Sequence, residues 1–300
     1  MRTFSLFTLA LLLTVAITLF GAERLQFFAS SMVPESVAEP TYEVLAKSEV
    51  EWEQLNPARG DQSPKAGTLW GDRTGPGPSG FLLNPVDDFE SPPHIHGIAY
   101  RGVAISGLIH NDDPNADKMW MSTGSFWTQP AGGVHITAAQ GSHALAYIEV
   151  EDAFDVQPAE AAFESEEQPV NVDASNIIWL DAANVTWIEP PEASTATHEP
   201  KLAFLWGNPQ DSELNGTLLK LPTGFTGKIH TYGSAFRAVV IQGQVQYQLP
   251  GESDNQDLEP GSYLSSTGEF THPVRCAMTD DCIFYVRMEG KYDVVSRLID

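Results

Sequence analysis

The feature that most limits the fold of this chain is an internal repeat. "LWG" at 69–71 returns at 205–207, and "YRGVAISG" at 100–107 returns as "FRAVVIQG" at 236–243, both displaced by 136. Gly80 and Phe89 match Gly216 and Phe225, "GSF" at 124–126 matches "GSY" at 261–263, and His135 matches His272. "AFDV" at 153–156 matches "KYDV" at 291–294, and Val50 and Trp52 pair with Val185 and Trp187. The displacement drifts from 135 to 138 in single steps, as insertions in surface loops produce. A unit this long is a domain and not a solenoid repeat. The chain divides into 1–31, a first copy at 32–175 and a second at 176–300, with the Glu- and Pro-rich segment 157–169 crossing between them.

Each copy reads as short strands. "RGVAISGLI", "HALAYIEVE", "RAVVIQGQVQYQL" and "DCIFYVRME" are β-rich runs, separated by turn-forming stretches such as NDDPNAD and PGESDNQD. Many short strands joined by Gly- and Pro-rich turns imply an all-β sandwich or barrel with few, short helices.

Sixteen basic residues against 40 acidic ones, a formal charge of −24, exclude a phosphate-backbone partner. Arg2 followed by the apolar run 6–20 marks export from the cytoplasm. Ala22 is preceded at two residues by Phe20, a poor cleavage site, so both a cleaved signal and a retained N-terminal anchor stay open. The expected location is periplasmic or secreted, with membrane contact only through an uncleaved anchor. In an oxidising compartment Cys276 and Cys282, flanking AMTDD, are a candidate disulfide across a hairpin.

The chemistry concentrates in the first copy. In an extended segment, residues two apart face the same side, so His94 and His96 of "PPHIHG" project together. His135, in "GSFWTQPAGGVHITA", lies on a later strand. Three neutral imidazoles suit Zn, Fe, Ni, Cu or Co better than Ca or Mg.

These residues resemble the two motifs of the cupin superfamily. His94, His96 and the closing Gly107 fit the first motif; Gly124, Pro130, Gly132 and His135 fit the second, with Ala139 in place of its Asn. More narrowly, "LNPARGD", "TLWGDR", "SPPHIH", "YRGV" and "GSFWTQPAG" resemble exported bacterial bicupins of a domain-of-unknown-function family, related to the cupin domain of zinc-binding anti-sigma factors. The resemblance implies two tandem jelly-roll barrels and one divalent transition metal (Zn, Fe, Mn or Ni) on His94, His96 and His135. The family's fourth ligand is a Glu, and Tyr100 stands there instead. Tyr100 is therefore a candidate catalytic residue, hydrogen-bonding or binding a metal ligand, or else an aromatic wall. Without the carboxylate the site is one unit more positive and favours anionic or chelating ligands.

The second copy offers His230 at the His94 position, Tyr232 at the His96 position, His272 at the His135 position and Phe236 at the Tyr100 position. With two histidines of three, this degenerate site is expected to hold metal weakly or not at all. Phe126, Trp127, Gln129, Trp120, Met121 and Tyr147 are either pocket lining or core. Arg101 and Arg237 recur in both copies and read as structural; His110, Asp112 and Asp113 read as turn chemistry, His143 and His198 as exposed residues, and Asn184 and Asn215 as N-x-[ST] matches. The leading expectation is a metalloenzyme acting on a small chelating organic molecule by dioxygenase or hydrolase chemistry. The alternatives are a non-catalytic binding or sensing module and an inert storage protein. A small molecule is the expected partner, and a homodimer is one allowed assembly.

Overall fold

The runs read as strands are apolar over most of their length and buried on both faces, and the structure sets them in two mainly antiparallel sheets with the same strand order. The computed structural model describes residues 40–185, 188–189, 199–209, 213–249 and 255–296; the N-terminal segment 1–31, Trp187 and His198 lie outside the described residues. Among the described residues regular structure is strand apart from five short 3-10 segments. Among the described residues no helix is long and apolar enough to cross a membrane.

The first sheet runs Trp52–Gln54, Lys65–Trp70, Ser79–Asn84, Ile136–Val150, Tyr100–Asp112, Phe126–Gln129, Val170–Val172. The second repeats it as Leu180–Asp181, Lys201–Gly207, Leu214–Leu221, Cys282–Glu289, Thr226–Gln242, Tyr263–Cys276, and continues into Val245–Gln248 and Asn255–Leu258. Both curl into the jelly-roll barrel architecture expected of the sequence. The place of Val170–Val172 beside Phe126–Thr128 is taken in the second sheet by Thr41–Leu45, which pairs with Tyr263–Thr267. The first described strand thus belongs by pairing to the second sheet. Cys276 and Cys282 form the expected disulfide, but it does not close a hairpin: Tyr263–Cys276 and Cys282–Glu289 lie on either side of Thr226–Gln242 and each pairs with that strand.

Strand pairing corrects one part of the repeat. Gln54 pairs with Lys65 and Asp181 with Lys201, and Lys65 and Lys201 are equivalent through "LWG". Trp52 therefore corresponds to Trp179, and Val50 to Ile177, rather than to Trp187 and Val185. The second copy has a longer excursion before its first long strand, and a similar Val-x-Trp motif within it misleads the alignment.

Other repeats hold in detail. A bulge interrupts the ladder between Thr68 and Trp70, and again between Phe204 and Trp206. It lays each indole over the facing backbone, which is possible because Gly80 and Gly216 stand there: a Cβ at either would collide with the indole Nε1. The freed indoles donate to Tyr147 and Tyr285, each at 3.0 Å.

One apolar cluster is shared between the sheets, bringing Trp70, Val103, Phe126 and Tyr147 against Leu218, Val239, Tyr263 and Tyr285. At its centre lies a buried ion pair. Glu149, with no exposed surface, accepts from Arg287 Nη1 at 2.6 Å and from the hydroxyls of Tyr147 and Tyr285 at 3.2 and 3.1 Å. Arg287 also grips Glu151 at 2.9 Å. Arg101 lies over the Trp206 ring at 3.8 Å and Arg237 over Trp70 at 4.4 Å, each crossing to the other copy's tryptophan, the structural role expected of the pair.

Breaking this pair from one side leaves a buried carboxylate with only Arg101 at 3.5 Å as a charged partner. Arg287→Met is expected to cost roughly 3–5 kcal/mol, the range for one-sided loss of a buried pair. Urea unfolding of the variant against the parent measures it, and a change below about 1 kcal/mol would show that the pair is not buried as described.

Candidate metal centre

The two motifs meet through their backbones before their side chains. His94 and His135 exchange both N–H···O bonds, each 3.0 Å, and Gly132 N–H donates to the His96 carbonyl at 2.9 Å. Gly132 has φ 74°, the left-handed region, which lets the turn bring Val134 and His135 back alongside His94. Ile95 points the opposite way and is fully buried.

The three imidazoles are buried, with ring centroids 4.3–5.1 Å apart and one nitrogen of each within 4.8 Å of the others. Each is oriented by a backbone carbonyl at Nδ1: Pro92 for His94 at 2.9 Å, Asp155 for His96, and Gly133 for His135 at 3.1 Å. A carbonyl only accepts, so each Nδ1 carries the hydrogen and each Nε2 keeps its lone pair. Three Nε2 lone pairs converging from fixed rings are a donor set that fits one divalent transition ion.

Tyr100 is fully buried, and burial raises its phenol pKa well above the ordinary value. Its hydroxyl donates to Asn111 Oδ1 at 2.8 Å and lies 3.4 Å from His135 Nε2. Asn111 also accepts from Thr137 Oγ1 at 2.8 Å and donates to Gln129 Oε1 at 3.0 Å; Gln129 Nε2 donates to Gly133 O at 3.1 Å, the same carbonyl that holds His135. The bonds form a ring from Tyr100 to His135. The phenol's one hydrogen goes to Asn111, which leaves its oxygen lone pairs and the His135 Nε2 lone pair toward the centre.

A cavity of about 480 Å³ opens on His94, His96 and Tyr100. Its walls are mostly apolar, among them Phe81, Phe89, Ile148 and Phe154, with Arg59 and Asn56 at one side. The stretch that leads into the crossing segment supplies part of the wall: Phe154 and Val156 line the cavity and Asp155 orients His96, while Gln157–Pro158, at the start of the crossing segment, pairs with His94–Ile95.

Of the aromatic residues considered as lining, Phe126 and Tyr147 belong to the cluster between the sheets, because their inward neighbours alternate with them toward the cavity. Trp127 packs on the Gly102 backbone within the core, and Gln129 lines a smaller crevice behind His135. Met121 is core, and Trp120 lies beside His110. His110 is a fully buried strand residue and not a turn residue, whereas His143 is exposed. Asn215 is buried, its amide donating to three carbonyls, so it is not a modification site; Asn184 is exposed. Asn111, Arg59, Asp155 and Phe154 were not identified from sequence. Asn111 carried the one available signal, a polar residue two after Ile109 on an apolar strand.

The second copy departs further than the sequence alignment implies. His272 pairs with Ile229, as His135 pairs with His94, so Ile229 and Thr231 hold the inward positions of His94 and His96. His230 and Tyr232 point outward: Tyr232 is half exposed, and His230 bonds Thr271 Oγ1 at 2.9 Å. Only His272 faces in. Both its nitrogens are engaged, by Tyr247 Oη at 2.9 Å and Ser266 Oγ at 3.0 Å, and Phe236 stacks beside it.

The family described as "Domain of unknown function (DUF4437)" matches residues 43–295. No curated protein matches the chain. Among solved structures, a candidate dioxygenase from Nostoc punctiforme PCC 73102 is similar at 15% identity and TM-score 0.61, over 87% of this chain and 88% of that one. Protein YlbA of E. coli, a DUF861 protein, is similar at 14% identity and TM-score 0.53, over 87% and 93%. Streptomyces albus HEPD, with its substrate 2-hydroxyethylphosphonate and Fe(II) bound, is similar at 10% identity and TM-score 0.51, over 83% and 76%. At these identities the likeness establishes the shared fold.

Burial holds the His96 pKa down to about 4 and the His135 pKa down to about 3, and also lowers that of His94. The unfolded chain protonates His96 and His135 at about 6.5 and the folded protein only at about 4 and about 3, so stability falls as the pH drops below about 6.5. Each ring contributes up to about 1.4 kcal/mol per pH unit in that window. In metal-free protein the urea midpoint is expected to fall steadily from pH 6.5 to 4. His135→Gln, neutral in both states, should show a shallower decline; an unchanged slope would mean that His135 is not held neutral.

Proposed function

The chain belongs to the family described as "Domain of unknown function (DUF4437)", a cupin-superfamily fold that leaves the reaction to be read from this chain's own residues, and we propose a metalloenzyme acting on a small chelating organic molecule. The carrying observation is the set of three buried imidazoles, each with Nδ1 tied to a carbonyl and Nε2 aimed at one point beside an apolar cavity. His94, His96 and His135 hold the ion. When bound, a divalent Zn, Fe, Mn or Ni supplies Lewis acidity or, if redox-active, oxygen chemistry, which corresponds to hydrolase or dioxygenase activity.

The chain's own residues then have distinct tasks. The Asn111–Gln129–Gly133 ring fixes the Tyr100 phenol and the His135 imidazole relative to each other. Tyr100 keeps its proton at Oη and offers an oxygen acceptor to a bound molecule. Phe81, Phe89 and Phe154 exclude water from one face of that molecule. Copy two lacks the ligand set and contributes packing. The repeated strand order supports a division into two cupin units near residue 175, and the N-terminal apolar run supports export to the periplasm or beyond.

The second reading, a non-catalytic ligand-binding or sensing cupin, is favoured by one observation: no Asp or Glu lines the cavity to act as a general base.

About one tightly held transition-metal ion per chain is expected by elemental analysis of protein purified anaerobically. His96→Ala and His135→Ala should each abolish it, and His230→Ala should leave it unchanged. Two ions per chain, or full retention in the His96→Ala, His135→Ala double variant, would overturn the site. Tyr100→Phe should keep the metal and lower turnover in an oxygen-consumption or ester-hydrolysis screen; the binding reading requires no turnover in the parent either.

A further inference from the structure

The charge around the cavity points to the class of molecule it takes. The chain carries 40 acidic residues, yet none lines this cavity. Tyr100 stands where the cupin motif has its anionic ligand, so the histidine set is neutral. Arg59 lines the same cavity. Its guanidinium lies over the Phe89 ring, 5.2 Å from the centroid, and His94 lines the same cavity. Among the described residues it has no ion-pair partner.

Arg59 is also held in place. It sits in the short 3-10 segment Pro57–Gln62, where Asn56 Oδ1 caps Ala58 N–H at 3.1 Å. The loop is closed by Leu55 N–H to Pro64 O at 2.8 Å and by Asn56 N–H to Ser63 Oγ at 2.9 Å. A guanidinium carried on this closed loop and lying over Phe89, beside a cavity with no acidic residue in its lining, suits a carboxylate. The remaining wall, with Phe81, Leu83, Phe89, Ile148 and Phe154, is apolar and suits a hydrocarbon or aromatic body.

We propose that the cavity selects an amphipathic organic carboxylate, its carboxylate bound by Arg59 and its apolar body seated between Phe81, Phe89 and Phe154. This deepens the proposed function and rests on it only for the metal as a second anionic anchor; the Arg59 contact stands without metal. Arg59 is thereby a specificity-determining residue. An uncharged analogue of the same shape would fill the apolar part and leave the guanidinium without its counter-charge.

The test is calorimetric titration of the metal-stripped chain with 3-phenylpropionate and with 3-phenylpropanamide, repeated after zinc loading. The stripped parent is expected to bind the carboxylate about tenfold or more tightly than the amide, the scale of one charge-assisted hydrogen-bonded contact. Arg59→Gln should erase that preference by weakening the carboxylate alone, and Arg59→Lys should restore part of it, with unfolding midpoints unchanged in both. Equal binding of the two probes by the parent, binding of neither, or a preference that survives Arg59→Gln would overturn the proposal. Zinc should tighten carboxylate binding in the parent and in Arg59→Gln alike. An absent zinc effect alongside Arg59-dependent selection would defeat the metal reading and leave this one standing.

Discussion

The buried pair of Glu149 and Arg287 is the contact on which the arrangement of this chain depends. The repeat places the two at equivalent positions, since Tyr147 corresponds to Tyr285 and the same displacement carries 149 to 287. Around them the two copies keep identical residues, Trp70 with Trp206 and Tyr147 with Tyr285, each indole donating to its own tyrosine. At the central position identity would bring two like charges together in a dry interior, at a cost of several kcal/mol. The sequence differs there: a carboxylate in one copy and a guanidinium in the other, with Arg101 and Glu151 extending the network. A pair of this kind adds little net stability over well-packed apolar residues, but it makes the two copies complementary to each other and not to themselves.

With that junction fixed, each sheet has one face committed to the shared cluster and one face free to enclose an interior. Phe126 and Tyr147 are therefore unavailable to the cavity, and its lining comes from the opposite register and from Phe154 and Val156, just before the crossing segment. The interiors have diverged. In the first, Nδ1 of each histidine is tied to a carbonyl, which leaves lone pairs and open volume. In the second, Tyr247, Phe236 and Tyr292 occupy the interior, and hydroxyls satisfy both nitrogens of His272. One register position decides the difference, since Ile229 and Thr231 face inward where His94 and His96 do.

The legible part of this structure was the part written in local pattern. Gly124 and Gly132 at motif spacing, each with positive φ, marked turns that fold the motifs together, Gly107 marked an irregularity within its strand, and the short β-rich run "RGVAISG" marked that strand. The three histidines could be named because both motifs survive in one copy. Residue identity does not carry register: the repeat displacement put His230 at the His94 position, and a single-residue shift in pairing turned it outward. Trp179 was hidden behind Trp187 for a similar reason. Asn111 and Arg59 could not be ranked from sequence, since their roles come from what the fold sets beside them, Tyr100 for one and an acid-free cavity for the other.

That acid-free cavity follows from the same economy of charge that governs the junction. A strongly acidic chain repels small anions at long range, although salt screens this beyond about 8 Å. An anionic molecule is therefore bound only where local positive charge outweighs the surface. Three neutral imidazoles leave the charge of a bound divalent ion uncompensated, Tyr100 removes the carboxylate that would offset it, and Arg59 adds to it. Desolvation strengthens each of these contributions inside the cavity, where Phe81 and Phe154 displace water. The replacement of one acidic ligand by a tyrosine thus does more than alter the coordination set: it leaves Arg59 beside a cavity with no carboxylate in its lining, whereas at the junction Arg287 already holds Glu149.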